Sequence, residues 1–195
     1  MKKFIYTLFV LLFFKIGIAA QEAPEGLFIA SKAPDFKAMD QNGQSIRLKD
    51  LSKKGKVIIV FYRGEWCPFC NRFLSRLQDS LTFITERGAT LLAISPETKE
   101  NMGKTVEKNK AGFSFIYDAD LKIMKAYNVA FEVPENTITR YRNAGIDLEK
   151  KNGANGKFLP VPAVYVIDEE QTITYRFFET DYKKRPDVKD ILKML

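Results

Sequence analysis

The most constraining feature of this 195-residue chain is a junction in its first half. Lys56-Val57-Ile58-Ile59-Val60-Phe61-Tyr62 is a β-branched and aromatic run of the kind buried in the middle of a sheet. A short link, Arg63-Gly64-Glu65-Trp66, leads to Cys67-Pro68-Phe69-Cys70. From there Phe69, Phe73, Leu77, Leu81 and Ile84 recur by threes and fours, which predicts an amphipathic helix closed by Gly88 as its C-cap. Both cysteines of the chain therefore sit where a central strand hands over to a helix.

Three uses of such a pair can be weighed. As a staple it gains little, because closing so small a loop contributes about 2 kcal/mol against about 3 for fifteen residues. As a structural zinc site it is short of ligands, since the chain has two thiols and no histidine. The missing histidine also excludes His general bases and Cys–His proteolysis. A redox pair fits the placement best. Pro68 suits the first helical position, so Cys67 faces the unpaired amides and positive end of the helix dipole, which lower a thiol pKa. Cys70 returns to the same helix face within disulfide reach. Cys67 is then the attacking sulfur and Cys70 the resolving one. Trp66 either shields the pair or packs ordinarily. Arg63 either adds positive field or pairs with a carboxylate such as Glu65, and Glu65 itself opposes a thiolate.

Along the rest of the chain, Ala33-Pro34-Asp35-Phe36 opens the domain, and Asp40-Gln41-Asn42-Gly43-Gln44 reads as a turn between two short extended pieces. Buried strands are expected at Thr90–Ser95 and Phe113–Tyr117. Helices are expected over Lys99–Lys110, Leu121–Tyr127 and Pro186–Leu195, and a hairpin over Ala163–Asp168 and Ile173–Phe178. This order predicts an α/β fold with a central mixed sheet flanked by helices and an N-terminal β-hairpin extension. Residues 131–159, broken by Pro134, Gly145, Gly153 and Gly156, form an insertion in which Thr137–Arg142 can carry a helical turn.

The first twenty residues have the anatomy of a secretory signal: Lys2 and Lys3, an apolar run from Phe4 to Phe14, then Gly17-Ile18-Ala19-Ala20. Cleavage is expected after Ala20, or after Ala19, leaving one domain over 27–195 in a secreted or periplasmic protein. The apolar run is shorter than the about 20 residues a bilayer span needs, so no stable membrane insertion is expected after signal removal. Loss of Lys2, Lys3 and Lys15 lowers the formal charge from +7 to +4. The remaining surplus lies in Lys53-Lys54 and Lys183-Lys184-Arg185, read as solvated surface rather than a nucleic-acid footprint. Gly103-Lys104-Thr105 imitates the end of a phosphate loop, but Thr98 stands where its first glycine belongs.

The chain resembles the peroxiredoxin-like AhpC/TSA branch of the thioredoxin superfamily. The resemblance rests on Ala33-Pro34-Asp35-Phe36, on FYRGEWCPFC from Phe61 to Cys70, on Leu159-Pro160-Val161-Pro162-Ala163-Val164-Tyr165-Val166-Ile167-Asp168, and on Asp181–Asp187. It implies a thioredoxin fold, a cis Val161–Pro162 peptide beside the cysteines, and a Val161 backbone free to pair with a bound substrate chain. Departures accompany it. Counting back from Cys67, Gly64 stands where typical peroxiredoxins have threonine and Val60 where they have proline, while Pro162 falls where a distant arginine is expected. The W-C-x-x-C form suits disulfide exchange. Three readings follow: a peroxiredoxin-like peroxide reductase, a thioredoxin-like protein-disulfide reductase, or a non-catalytic envelope protein with a structural disulfide. Either enzyme would be regenerated by an external dithiol such as a thioredoxin-like protein, with no metal or organic cofactor.

Overall fold

The computed structural model describes residues 23–195; the expected leader lies outside the described residues. β1 (Lys37–Met39) and β2 (Ser45–Arg47) form the antiparallel hairpin. The Asp40 carboxylate closes its turn, accepting the N–H groups of Asn42 and Gln44 at 2.9 Å each. A short α1 (Leu48–Ser52) then leads into β3 (Val57–Phe61), every residue of which is buried.

Beyond the cysteines come α2 (Pro68–Asp79), α3 (Leu81–Glu86), β4 (Thr90–Ser95), α4 (Lys99–Asn109), β5 (Ser114–Tyr117) and α5 (Lys122–Ala126). The single helix expected after Cys67 is in fact two. At Ser80 the backbone leaves helical geometry and its N–H turns to the Leu77 carbonyl at 3.1 Å, consistent with serine's weak preference for helix interiors. The apolar face survives the break, for Phe73, Leu77 and Ile84 are all buried.

The 131–159 insertion is ordered. β6 (Ala130–Glu132) and β7 (Phe158–Pro160) pair antiparallel and close off α6 (Glu135–Asn143) and α7 (Leu148–Asn152) between them. β8 (Ala163–Ile167), β9 (Ile173–Phe178) and α8 (Val188–Leu192) complete the chain.

The main sheet runs β5-β4-β3-β8-β9, with β3 parallel to β4 and antiparallel to β8. Strand alternation sorts β3 between two cores. Ile58, Val60 and Tyr62 face one side with Cys67, Cys70, Phe73, Leu77 and Ile191. Val57, Ile59 and Phe61 face the other with Leu48, Met124 and Tyr127. The result is the mixed α/β architecture that the element order predicts and the thioredoxin-type fold that the resemblance implies, with the cysteine junction at the end of its central strand.

Candidate active site

Cys67 is the N-cap of α2, and Pro68 occupies the first turn where its missing N–H costs nothing. The Cys67 sulfur accepts the Cys70 N–H at 3.4 Å. The two thiols are unbonded, with Cys70 Sγ donating to Cys67 Sγ at 2.6 Å. Both are buried, Cys67 with no exposed surface at all. The Cys67 thiol is pulled down to about 6, first by the Cys70 thiol's hydrogen bond, then by the Arg63 guanidinium, the Cys70 amide and Arg185, against the cost of burial. Burial pushes Cys70 the other way, well above the usual thiol range, and the neighbouring Cys67 sulfur adds to that. The pair is therefore polarised into one thiolate and one thiol.

Arg63 is 3 % exposed. It does not pair with Glu65, the partner expected from the sequence, because Lys151 of α7 takes that carboxylate in an ion pair. Arg63 instead lies among three rings, its guanidinium carbon 4.6 Å from the Trp66 centroid, 5.5 Å from Tyr141 and 4.3 Å from Tyr182. Among the described residues its one side-chain hydrogen bond goes to the Tyr141 hydroxyl. Most of its donors thus remain for a ligand or for the field around the thiolate. Trp66 packs on Tyr141 with centroids 5.4 Å apart, and its buried indole N–H has no hydrogen-bond partner among the described residues.

The Val161–Pro162 peptide is trans, correcting the cis bond that the resemblance implies. Val161 is not free to pair with a bound chain through its N–H either, since that group is donated to the Val129 carbonyl at 2.8 Å where the β6–β7 ribbon joins the sheet. Val161 and Pro162 serve elsewhere: with Arg63, Phe131, Tyr141 and Tyr182 they line a cavity of about 420 Å³.

Four residues that sequence reasoning missed complete the site. Arg185 places Nη2 3.0 Å from Cys70 Sγ across 115 positions of chain. Tyr141 and Tyr182 wall in Arg63. Glu97, with no exposed surface, follows β4 and accepts the Tyr62 hydroxyl at 2.6 Å, the Thr105 hydroxyl at 2.8 Å and the Glu65 N–H at 2.8 Å. Burial raises its carboxyl above the usual range, the donors offsetting part of that. Gly64, at φ +142°, sits against this cluster, where an added Cβ would lie 2.7 Å from Trp66 Nε1 and 3.2 Å from Glu97 Oε2. One signal pointed to Glu97: β3 and β4 are parallel, so polar residues just beyond either strand gather at one edge. Tyr182 and Arg185 lie in the Asp181–Asp187 stretch that carries part of the resemblance, though nothing local marks their role, and Tyr141 carries no mark at all.

Comparison with known proteins agrees with this geometry. Over 102 residues the chain is 31 % identical to peroxiredoxin Bcp of Bacillus subtilis, covering 52 % of this chain and 64 % of that one. It is 29 % identical over 102 residues to the thiol-disulfide oxidoreductase ResA of Geobacillus kaustophilus, covering 52 % and 58 %. In both cases the chain spans less than two thirds of its relative's length. Among solved structures, peroxidoxin BcpB from Mycobacterium tuberculosis superposes with a TM-score of 0.65 at 19 % identity, covering 85 % of this chain and 94 % of that one. The thioredoxin domain of a thiol-disulfide oxidoreductase from Bacteroides vulgatus gives 0.56 at 18 %, covering 85 % and 99 %. The family model described as AhpC/TSA matches residues 29–176, and the chain belongs to the AhpC/TSA family.

Proposed function

We propose that this protein is a thiol-dependent oxidoreductase that reduces hydroperoxides through Cys67 and Cys70. The observation that carries the reading is the placement of Cys67, buried yet held as a thiolate with the guanidiniums of Arg63 and Arg185 beside the pair. A sulfur so enclosed suits a substrate as small as a hydroperoxide. Positive charge fixed beside the sulfur stabilises the alkoxide that leaves when an O–O bond breaks.

In the first step the Cys67 thiolate attacks one peroxide oxygen. An S–O bond forms, the O–O bond breaks, and the departing alkoxide takes a proton from solvent to become an alcohol. Cys67 is left as a sulfenic acid. Cys70 then attacks the oxidised sulfur, water departs, and a Cys67–Cys70 disulfide remains. An external dithiol reduces it by exchange. The apolar walls of the 420 Å³ cavity, which ends on Arg63, Tyr141 and Tyr182, suit the organic body of an alkyl hydroperoxide.

Gly64, standing in place of a side chain that would orient peroxide, favours a second reading in which the pair exchanges only with disulfides. Saturable consumption of tert-butyl hydroperoxide with dithiothreitol as reductant, abolished by Cys67→Ser, is the result expected. Insulin reduction without peroxide turnover would overturn the first reading in favour of the second. The leader-like first twenty residues support a place outside the cytoplasm, where disulfides persist. No helix among the described residues is long and apolar enough to cross a membrane. Protease accessibility in intact cells would check the location.

A further inference from the structure

A second opening lies beside the cysteines, and its chemistry is unlike the first. Arg72, Arg76, Lys108, Lys183 and Arg185 line a groove of about 740 Å³ whose walls include no carboxylate. None of the five forms an ion pair among the described residues. Arg72 and Arg76 instead lie over the rings of Phe69 and Phe73, 4.8 and 5.8 Å from their centroids, which leaves their charge uncompensated. The groove and the apolar cavity share no lining residue. Phe69 of the groove meets Tyr182 of the cavity edge-on at 5.8 Å, forming the partition between them.

Neither sulfur lines either opening, and each opening carries one of the arginines of the redox site. The cavity ends on Arg63, and the groove includes Arg185, whose guanidinium touches Cys70 Sγ at 3.0 Å. Building on the reading above, in which an external dithiol reduces the Cys67–Cys70 bond, we propose that this basic groove docks the acidic face of that dithiol protein and delivers its thiol to Cys70. Five cations spread over α2, α4 and the Lys183–Arg185 loop match a protein face better than a small thiol, for which two would suffice.

The chemistry favours the same sulfur. In disulfide exchange the thiol of lower pKa leaves faster; with Cys70 bonded to the partner, the Arg63 guanidinium, the Cys70 amide and Arg185 still favour Cys67 as the leaving thiolate, while burial disfavours a thiolate at Cys70. The partner's thiolate therefore bonds to Cys70, and the Cys67–Cys70 bond breaks with its electron pair on Cys67. The partner's second thiol then attacks the first, and its own disulfide forms as Cys70 departs and is protonated. Two electrons pass from partner to protein. One partner proton ends on Cys70 and the other in solvent, leaving Cys67 as thiolate.

The test begins from protein oxidised with diamide, so it does not depend on peroxide turnover. Two synthetic dithiol peptides with the same Cys-Gly-Pro-Cys core, one flanked by aspartates and one by lysines, reduce it at low ionic strength. The signal is the fluorescence of Trp66, the single tryptophan. The acidic peptide is expected to react about tenfold faster or more, with the advantage shrinking as salt is added. In Arg76→Glu/Lys108→Glu/Lys183→Glu, the acidic peptide's rate relative to dithiothreitol should fall about tenfold. That ratio cancels any general loosening of the fold. Equal rates for the two peptides, or a preference that survives the triple variant, would overturn the docking surface. A small dianionic thiol, mercaptosuccinate, outpacing the acidic peptide would overturn a protein as its occupant. An acidic single-thiol peptide, acid-quenched and mapped on the tryptic fragment from Gly64 to Arg72, should be found on Cys70. Finding it on Cys67 would overturn the delivery.

Discussion

At the scale of single residues, the reactivity of Cys67 is built from contacts that differ in how far they reach along the chain. The nearest and largest is the Cys70 thiol. Cys70→Ala removes that donor and should raise the Cys67 pKa from about 6 toward the ordinary thiol range, whereas Cys70→Ser keeps an O–H in its place and should hold the value low. Ultraviolet thiolate absorbance across pH reads both, and identical titrations would remove the hydrogen bond as the cause. Arg63 acts next. Arg63→Gln loses the charge beside the sulfur, so peroxide turnover is expected to drop by about a hundredfold, the size of effect seen when one preorganised donor is removed. Retained turnover would shift the role to Arg185. The Cys67 environment was half legible in sequence, because the helix N-terminus and Pro68 follow from the C-P-F-C spacing. Arg185 was not legible in that way. Lys183-Lys184-Arg185 looks like solvated surface until folding carries it against Cys70.

At the scale of elements, the insertion decides how the site is enclosed. Val133, Ile138, Leu148 and Leu159 form a small core of their own that packs against Trp66 and Tyr141. Hydrogen bonds tie it to the edge of the main sheet: Asn155 donates to the Pro96 carbonyl at 2.9 Å and to the Asp118 carbonyl at 3.0 Å, and the Lys151 carbonyl accepts from the Thr98 N–H at 2.9 Å. Ile138→Ala should cost about 2–4 kcal/mol. Because Ile138 lies in this satellite core, faster amide exchange should appear in α6 and α7 well before β3 and β4. Uniform acceleration across the molecule would show instead that the insertion unfolds with the main core. Sequence periodicity found β3, β4, β8 and α2 because each buries a repeating face. Within 131–159 it offered only the helical turn at Thr137–Arg142, which lies inside α6 (Glu135–Asn143), because glycines and prolines interrupt short elements whose order comes from tertiary bonds.

At the scale of the whole molecule, buried ionisable groups couple stability to both pH and redox state. Burial raises the carboxyls of Glu97 and Asp118, which have hydrogen-bond donors but no cation partner among the described residues. Each contributes stability that is fully present below the ordinary carboxylate range and is lost as pH rises through its raised value. Cys67 works in the opposite sense. Its folded value of about 6 lies below the roughly 8.5 of a free thiol. It therefore contributes stability that is present above roughly 8.5 and is lost as pH falls through about 6. Cys70, raised by burial, stays protonated in the folded state across that window, while unfolded it begins to ionise only near the window's upper end, where it starts to offset the gain from Cys67. Oxidation to the disulfide abolishes both thiol contributions but leaves the carboxylates unchanged. The urea midpoint of the reduced protein should consequently climb relative to that of the oxidised protein as pH rises from about 6 to roughly 8.5, whereas the midpoint of Cys67→Ser, which cannot form the disulfide, should run parallel to that of the oxidised wild-type protein over the same range. Parallel curves for the two redox forms would mean that Cys67 titrates alike folded and unfolded, and the electrostatic account of its reactivity would fail with them.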